Sequence, residues 1–404
     1  MTITSTNSLT EEEAAPSAPP VAELLILLTP MPREQVELIL ANIAKSLPPD
    51  RPDRFDQLIV ATSDPAQERS PSGIRLVPTP DGIISWTLTA SDYVAAFQLA
   101  QNHHARAILI LGPEASSLHT SALHDLADAV LVRAVDLAIP HYDLPSRTGL
   151  VNSGILYPLT RSLFATRARF PLAVDLALSL RMAERMASAG QRFTTINQPG
   201  SLLWPVNEAA TAGFSIEEIP AGPRTFAQPV ELDLNAVLAL VNGSLFTDLE
   251  AKAAYWQRAR VLPPRRGLYS SLVNTEAPPD IAPMIDGFRL AYTNLREIWS
   301  LVLPPNSLLG LKRLSVIDPA GFRMPDNLWA RIVYDFLLAH RLRTINRGHL
   351  LGAMVPLYLA WVASYINSAA ESDGESHIEA VASAFETEKP YLVSRWRWPD
   401  RFNP

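Results

Sequence analysis

The chain has 404 residues, 48% of them apolar, a formal charge of −7 and no cysteine. That length holds two domains with real cores, and the acidic balance argues against a nucleic-acid partner. The missing thiols exclude disulfides, a thiolate nucleophile and zinc–thiolate sites, and none of the eight histidines forms a ligand-spaced pair.

Residues 1–20 (MTITSTNSLTEEEAAPSAPP) lack the basic and apolar segments of a signal peptide and are predicted to be a disordered tail, which fits a cytoplasmic protein. Residues 23–28 (ELLILL) predict a first strand, closed at Pro30. In residues 33–47 apolar side chains recur at Val36, Ile39, Leu40 and Ile43, which is a helical stripe. Two more strands are predicted at 57–61, followed by Asp64, and at 73–77, and a helix covers 92–102. It leads into residues 105–118 (ARAILILGPEASSL), around which the rest is organised. Four consecutive aliphatics, 108–111, predict a central strand buried on both faces. Gly112 and Pro113 end it, Glu114 follows, and Ser116 and Ser117 open a predicted helix. Ligands of open α/β sheets sit just past such strand ends, so residues 112–117 are the expected lining of a site; the bland alternative is an ordinary turn.

Residues 134–139 predict the next strand, ending at Pro140. Residues 152–166 read as helical despite Pro158, residues 167–175 as an irregular crossing, and a helix starts at Ser179. A short strand at 216–219 follows a helix that ends near Gly213. Beyond Leu232 only helical stripes occur, including the 17-residue apolar run 350–366. That run is at the short edge of the ~20 residues that span a bilayer and reads as a buried helix, with no transmembrane segment. The alternation predicts an α/β fold with a mostly parallel sheet covered on both faces. The boundaries are a tail over 1–20, an α/β domain over 21–230 and a helical region over 231–404.

Residues 152–175 (NSGILYPLTRSLFATRARFPLAVD), 328–366 and 388–402 (EKPYLVSRWRWPDRF) together carry a resemblance. They are similar to the acceptor-side segment and the helical C-terminal region of bacterial GT-A-fold glycosyltransferases of the glucosylglycerate and mannosylglycerate synthase kind. The strands ending at Pro30, Asp64 and Gly112 follow in the family's order. The resemblance implies a GT-A fold with a C-terminal helical extension. It implies transfer of a sugar from a nucleotide-sugar donor to a small acceptor such as glycerate or phosphoglycerate. Magnesium or manganese would neutralise the departing diphosphate. It assigns donor binding to Pro30, Asp64 and Gly112, catalysis to Glu114 and Asp175, and acceptor binding to Arg161 and Arg169.

The chain departs from that pattern repeatedly. The Asp-x-Asp of the family falls on Gly112-Pro113-Glu114, and no histidine lies in the region of residues 219–226 where a further metal ligand is expected. The Gly-Lys-Gly before the helix at Asp92 falls on Leu88-Thr89-Ala90, the Gly-Gly-Asp on Ala173-Val174-Asp175, and a further acidic position on Leu202. No metal ligand set is therefore assigned. The alternatives are a non-catalytic relative that binds a small molecule or regulates a paralogue, and an interaction protein that pairs with a second copy through its helical region. Asp64 also suits a turn, and Asp175 the cap of the helix at Ser179. Arg167 reads as a solvated helix face, and Tyr157, Tyr334 and Trp361 as core. Arg395, Trp396, Arg397 and Trp398 read as cation–π stacks that fasten the tail.

Overall fold

The computed structural model describes residues 22–46, 58–63, 65, 68, 70, 73–80, 85–226, 233–260, 277–369 and 374–399. The tail over 1–20, Asp64 and the chain end beyond residue 399 lie outside them.

Aliphatic runs make the strands β1 (Leu24–Leu28), β2 (Leu58–Thr62) and β4 (Ala107–Leu111), every residue of which is buried. The shorter β3 (Arg75–Pro78) sits at the sheet edge. Helices α1 (Arg33–Ser46), α2 (Ala90–Asn102) and α3 (Thr120–Leu131) alternate with them. Then follow β5 (Leu137–Tyr142), α4 (Tyr157–Phe164), β6 (Asp175–Ser179), α5 (Leu180–Thr195), α6 (Pro205–Ala212) and β7 (Ile216–Gly222). The described strands form one sheet in the order β3-β2-β1-β4-β6-β5-β7. All pairs are parallel except those of β6, which runs antiparallel between β4 and β5. Val36, Ile39, Leu40 and Ile43 of α1 pack with α3 on one face, while α2, α5 and α6 cover the other. This is the mostly parallel α/β architecture that the resemblance implies.

Three local expectations are corrected. Between the crossing expected over 167–175 and the helix expected from Ser179 lies an unforeseen strand, β6; DLALS is too short to show a period, and its place between two strands decides its state. Asp175 consequently caps nothing: the Ser179 hydroxyl caps α5 by accepting from the Met182 amide. Ser116 and Ser117 belong to a single 3-10 turn, and the helix begins at Thr120 behind His119. Finally, β5 runs on through Pro140. It pairs with β6 only at Leu137 and Ala138, so the missing N–H falls where that side of the ladder has ended.

Beyond residue 232 come α7 (Leu234–Ala251), α8 (Ala253–Trp256), α9 (Ala282–Asn294), α10 (Arg296–Val302), α11 (Pro305–Leu314), α12 (Asp326–Leu342), α13 (Arg347–Ala369) and α14 (Gly374–Arg397). Their apolar core also takes in residues 155–164 and Trp204 from the first half. Tyr157, Tyr334 and Trp361 are fully buried in it, as expected. The seam between the halves is tight. A Cβ on Gly154 would lie 2.4 Å from the Trp361 ring, and Trp329 donates to the Gly154 carbonyl at 2.7 Å. Residues Arg347–Ser368 are long and apolar enough to cross a membrane, but 78% of the most apolar window is buried against neighbouring helices. The tail is fastened by cation–π contact, and Arg395 also lies 5.6 Å from the Tyr391 ring of its own helix. Arg341 of α12 lies 4.2 Å from the Trp396 ring, and Trp256 meets Trp396 edge-on at 4.9 Å.

Candidate functional site

The antiparallel sense of β6 places its first residue, Asp175, at the carboxyl edge of its neighbours, opposite Leu111. Asp175 thus arrives beside the turn Gly112-Pro113-Glu114, beside Tyr142 at the end of β5, and beside the loop after β7. Its side chain is fully enclosed. Oδ1 accepts from the Gly112 amide at 3.1 Å and Oδ2 from the Tyr142 hydroxyl at 2.9 Å. Burial first, and the Asp175 charge second, push the Tyr142 phenol well above its ordinary range, so it stays a hydrogen-bond donor.

The fourth member of the cluster is Arg224, which no sequence motif singled out. Its Nε and Nη2 grip Asp175 at 2.8 and 3.2 Å in a bidentate pair, with neither side chain exposed. Nη2 also donates to the Pro113 carbonyl at 2.7 Å, and Nη1 to the Glu114 and Thr225 carbonyls and to Ser117 Oγ. A guanidinium has five N–H donors, and here every one has an acceptor inside the protein. Burial opposes the charge, but the Asp175 carboxylate and the Tyr142 phenol together more than offset it and raise the Arg224 pKa.

Arg224 lies within the span 219–226, where a metal-ligating histidine was sought. A hard divalent cation needs about six oxygens free to coordinate it. Here both oxygens of Asp175 and the carbonyls of the turn are already committed to Arg224, Tyr142 and Gly112, so the residues do not fit such an ion. Among the described residues no group of three or more His, Asp or Glu side chains is placed to hold one.

The other expected site residues separate. Glu114 takes a left-handed conformation, φ 62°, which turns its carbonyl to Arg224. Its carboxylate instead accepts from Gln35 of α1 at 2.8 Å. Gly112 owes its identity to packing: a Cβ there would lie 2.7 Å from the Val174 carbonyl oxygen. Val174 is buried, with its Cβ packed against Gly112.

Arg161 does not face an open acceptor site, and Arg169 reaches only a recess of about 20 Å³. Arg161 Nε and Nη2 pair with Glu386 of α14 at 2.9 and 3.1 Å, and Nη1 bonds Glu379 and the Tyr157 hydroxyl. Arg169 donates to Glu375 at 3.3 Å and to Ser153 at 3.2 Å. Both arginines are buried and pin α4 and the crossing to the last helix.

At the start of α2, the Ala90 and Ser91 amides donate to the Ser201 and Pro199 carbonyls at 2.8 and 3.0 Å. Asp92 accepts from the Thr89 amide in a capping box. These amides, the usual cradle of a phosphate, are spent inside the fold. Pro30 lines a pocket of about 190 Å³ together with Thr79, Pro80, Ser91, Asp92 and Gln98. A larger cleft of about 520 Å³ is walled by Trp86, Leu156, Leu172, Val174, Phe226 and Val237 among others.

No family model and no curated protein matches this chain. Among solved structures, glucosyl-3-phosphoglycerate synthase from Mycobacterium tuberculosis with Mn2+, UDP and glucosyl-3-phosphoglycerate is similar at 17% identity and a TM-score of 0.36, over 57% of this chain and 79% of that one. The same enzyme with Mn2+, UDP-glucose and phosphoglyceric acid gives 16% and 0.36 over the same shares. A mycobacterial protein gives 14% and 0.35, over 57% and 74%. These are likenesses of fold.

Proposed function

We propose that this GT-A-type chain is a small-molecule binding protein that does not perform cation-assisted glycosyl transfer. The observation that carries the reading is the saturation of Arg224. A side chain whose five donors all end on protein acceptors has none to offer a diphosphate. It cannot swing aside without giving up its bonds to Asp175, Ser117 and the Pro113, Glu114 and Thr225 carbonyls together. The spent amides of α2 and the Val174 side chain support the same conclusion from separate positions. The apolar cleft next to this plug remains as binding volume, within the range of small-molecule sites.

The second reading is sugar transfer from a nucleotide-sugar to glycerate or phosphoglycerate. It keeps one observation in its favour, the pocket at Pro30, which has room for a nucleobase. Calorimetric titration of UDP-, GDP- and ADP-glucose, with and without manganese, separates the two. We expect no manganese-dependent binding. Micromolar binding that needs manganese and is lost in Glu114→Ala would restore the transferase reading.

A further inference from the structure

We infer that the ligand of the cleft is an amphipathic carboxylic acid, with its apolar body in the 520 Å³ chamber and its carboxylate against Arg169. This rests on the closed donor site proposed above. The chamber shares Leu144, Thr148 and Phe170 with a recess of about 20 Å³, lined also by Tyr142, Ser153, Arg169 and Glu375. Arg169 is only 4% exposed, and its guanidinium is held 4.8 Å from the Tyr157 ring and 5.4 Å from the Phe170 ring. Nε is bound by Glu375 and Nη2 by Ser153, but Nη1 is buried with no acceptor among the described residues.

A fixed, desolvated, charged donor without an acceptor is rare, and an oxygen brought by a ligand satisfies it. The recess has room for about one water-sized group. That admits a single ligand oxygen. Nothing comparable to Arg169 Nη1 is needed for the rest of the ligand, because the chamber walls are mostly aliphatic and aromatic. One end therefore asks for an acceptor oxygen, which a carboxylate supplies, and the other for hydrocarbon.

The test is calorimetry on the full chain with decanoate, decanol and 3-phosphoglycerate. Decanoate should bind one to one and at least tenfold more tightly than decanol. Arg169→Lys, which keeps a cation beside Glu375, should cost decanoate at least tenfold and leave decanol within twofold. Val237→Trp, which fills the chamber from a half-buried position, should abolish both. Equal affinities for acid and alcohol, no decanoate binding, or preference for 3-phosphoglycerate would each overturn the inference. UDP-glucose is titrated in parallel. Manganese-dependent binding of it defeats the closed-site reading, whereas failure of decanoate with no UDP-glucose binding defeats this inference alone.

Discussion

Replacing Arg224 with methionine removes the cation from a carboxylate that water does not reach. Asp175 and Arg224 are both fully enclosed and joined by two hydrogen bonds. The loss also strips a donor from the Pro113, Glu114 and Thr225 carbonyls. Breaking a buried pair by deleting one partner costs about 3–5 kcal/mol. At an m-value of about 3 kcal/mol per molar urea, the unfolding midpoint should fall by roughly 1–2 M. The variant Arg224→Met with Asp175→Leu should regain most of that, since buried ion pairs are replaced by apolar groups of similar size at little cost. Urea unfolding followed by circular dichroism measures both. A single variant within about 1 kcal/mol of the parent, or a double variant no better than the single, would refute the idea that Arg224 plugs a dry site.

Gly112→Ala should destabilise the protein by about 1–3 kcal/mol, because the new methyl meets the Val174 backbone, which has nowhere to go; a thermal melt checks it. Truncation after Ser394 removes Arg395, which is paired with Asp335, and Trp396, which is packed on Trp256. The melting temperature should drop, and an unchanged one would show that the tail is not part of the core. His340 is buried, and burial, followed by Arg347 and Arg343, brings its pKa from the usual 6.5 down to about 4. The unfolded chain thus takes up the proton first. Stability from this residue is full above pH 6.5 and is lost as pH falls towards 4. Comparing urea midpoints at pH 7 and pH 5 should show a smaller loss in His340→Phe than in the parent.

The strands β1, β2 and β4 were legible because doubly covered strands must be aliphatic throughout. The same rule failed at β6, whose five residues carry no period of their own. Their role became visible only once β4 and β5 flanked them. Arg224 was missed for a related reason. It sits in a loop, and its meaning comes from Asp175, 49 positions away in the chain. The only clue was a cation in the span where a metal ligand was sought. Arg161 and Arg169 were legible as arginines of the acceptor-side segment, but their counter-charges were not. Glu375, Glu379 and Glu386 recur at helical spacing on α14, a pattern that announces one acidic stripe facing one basic partner.

That stripe constrains how the chain can mature during synthesis. Arg161 meets its glutamates 218 and 225 residues downstream, and Arg169 meets Glu375 after 206. At about 5–20 residues per second, the ribosome leaves these arginines without counter-ions for roughly 10–45 s. Throughout that interval the sheet can form its own ladders, but Arg161 of α4 lacks the α14 glutamates that pair with it. The nascent first half therefore waits, with its basic seam open, for α14 to be made.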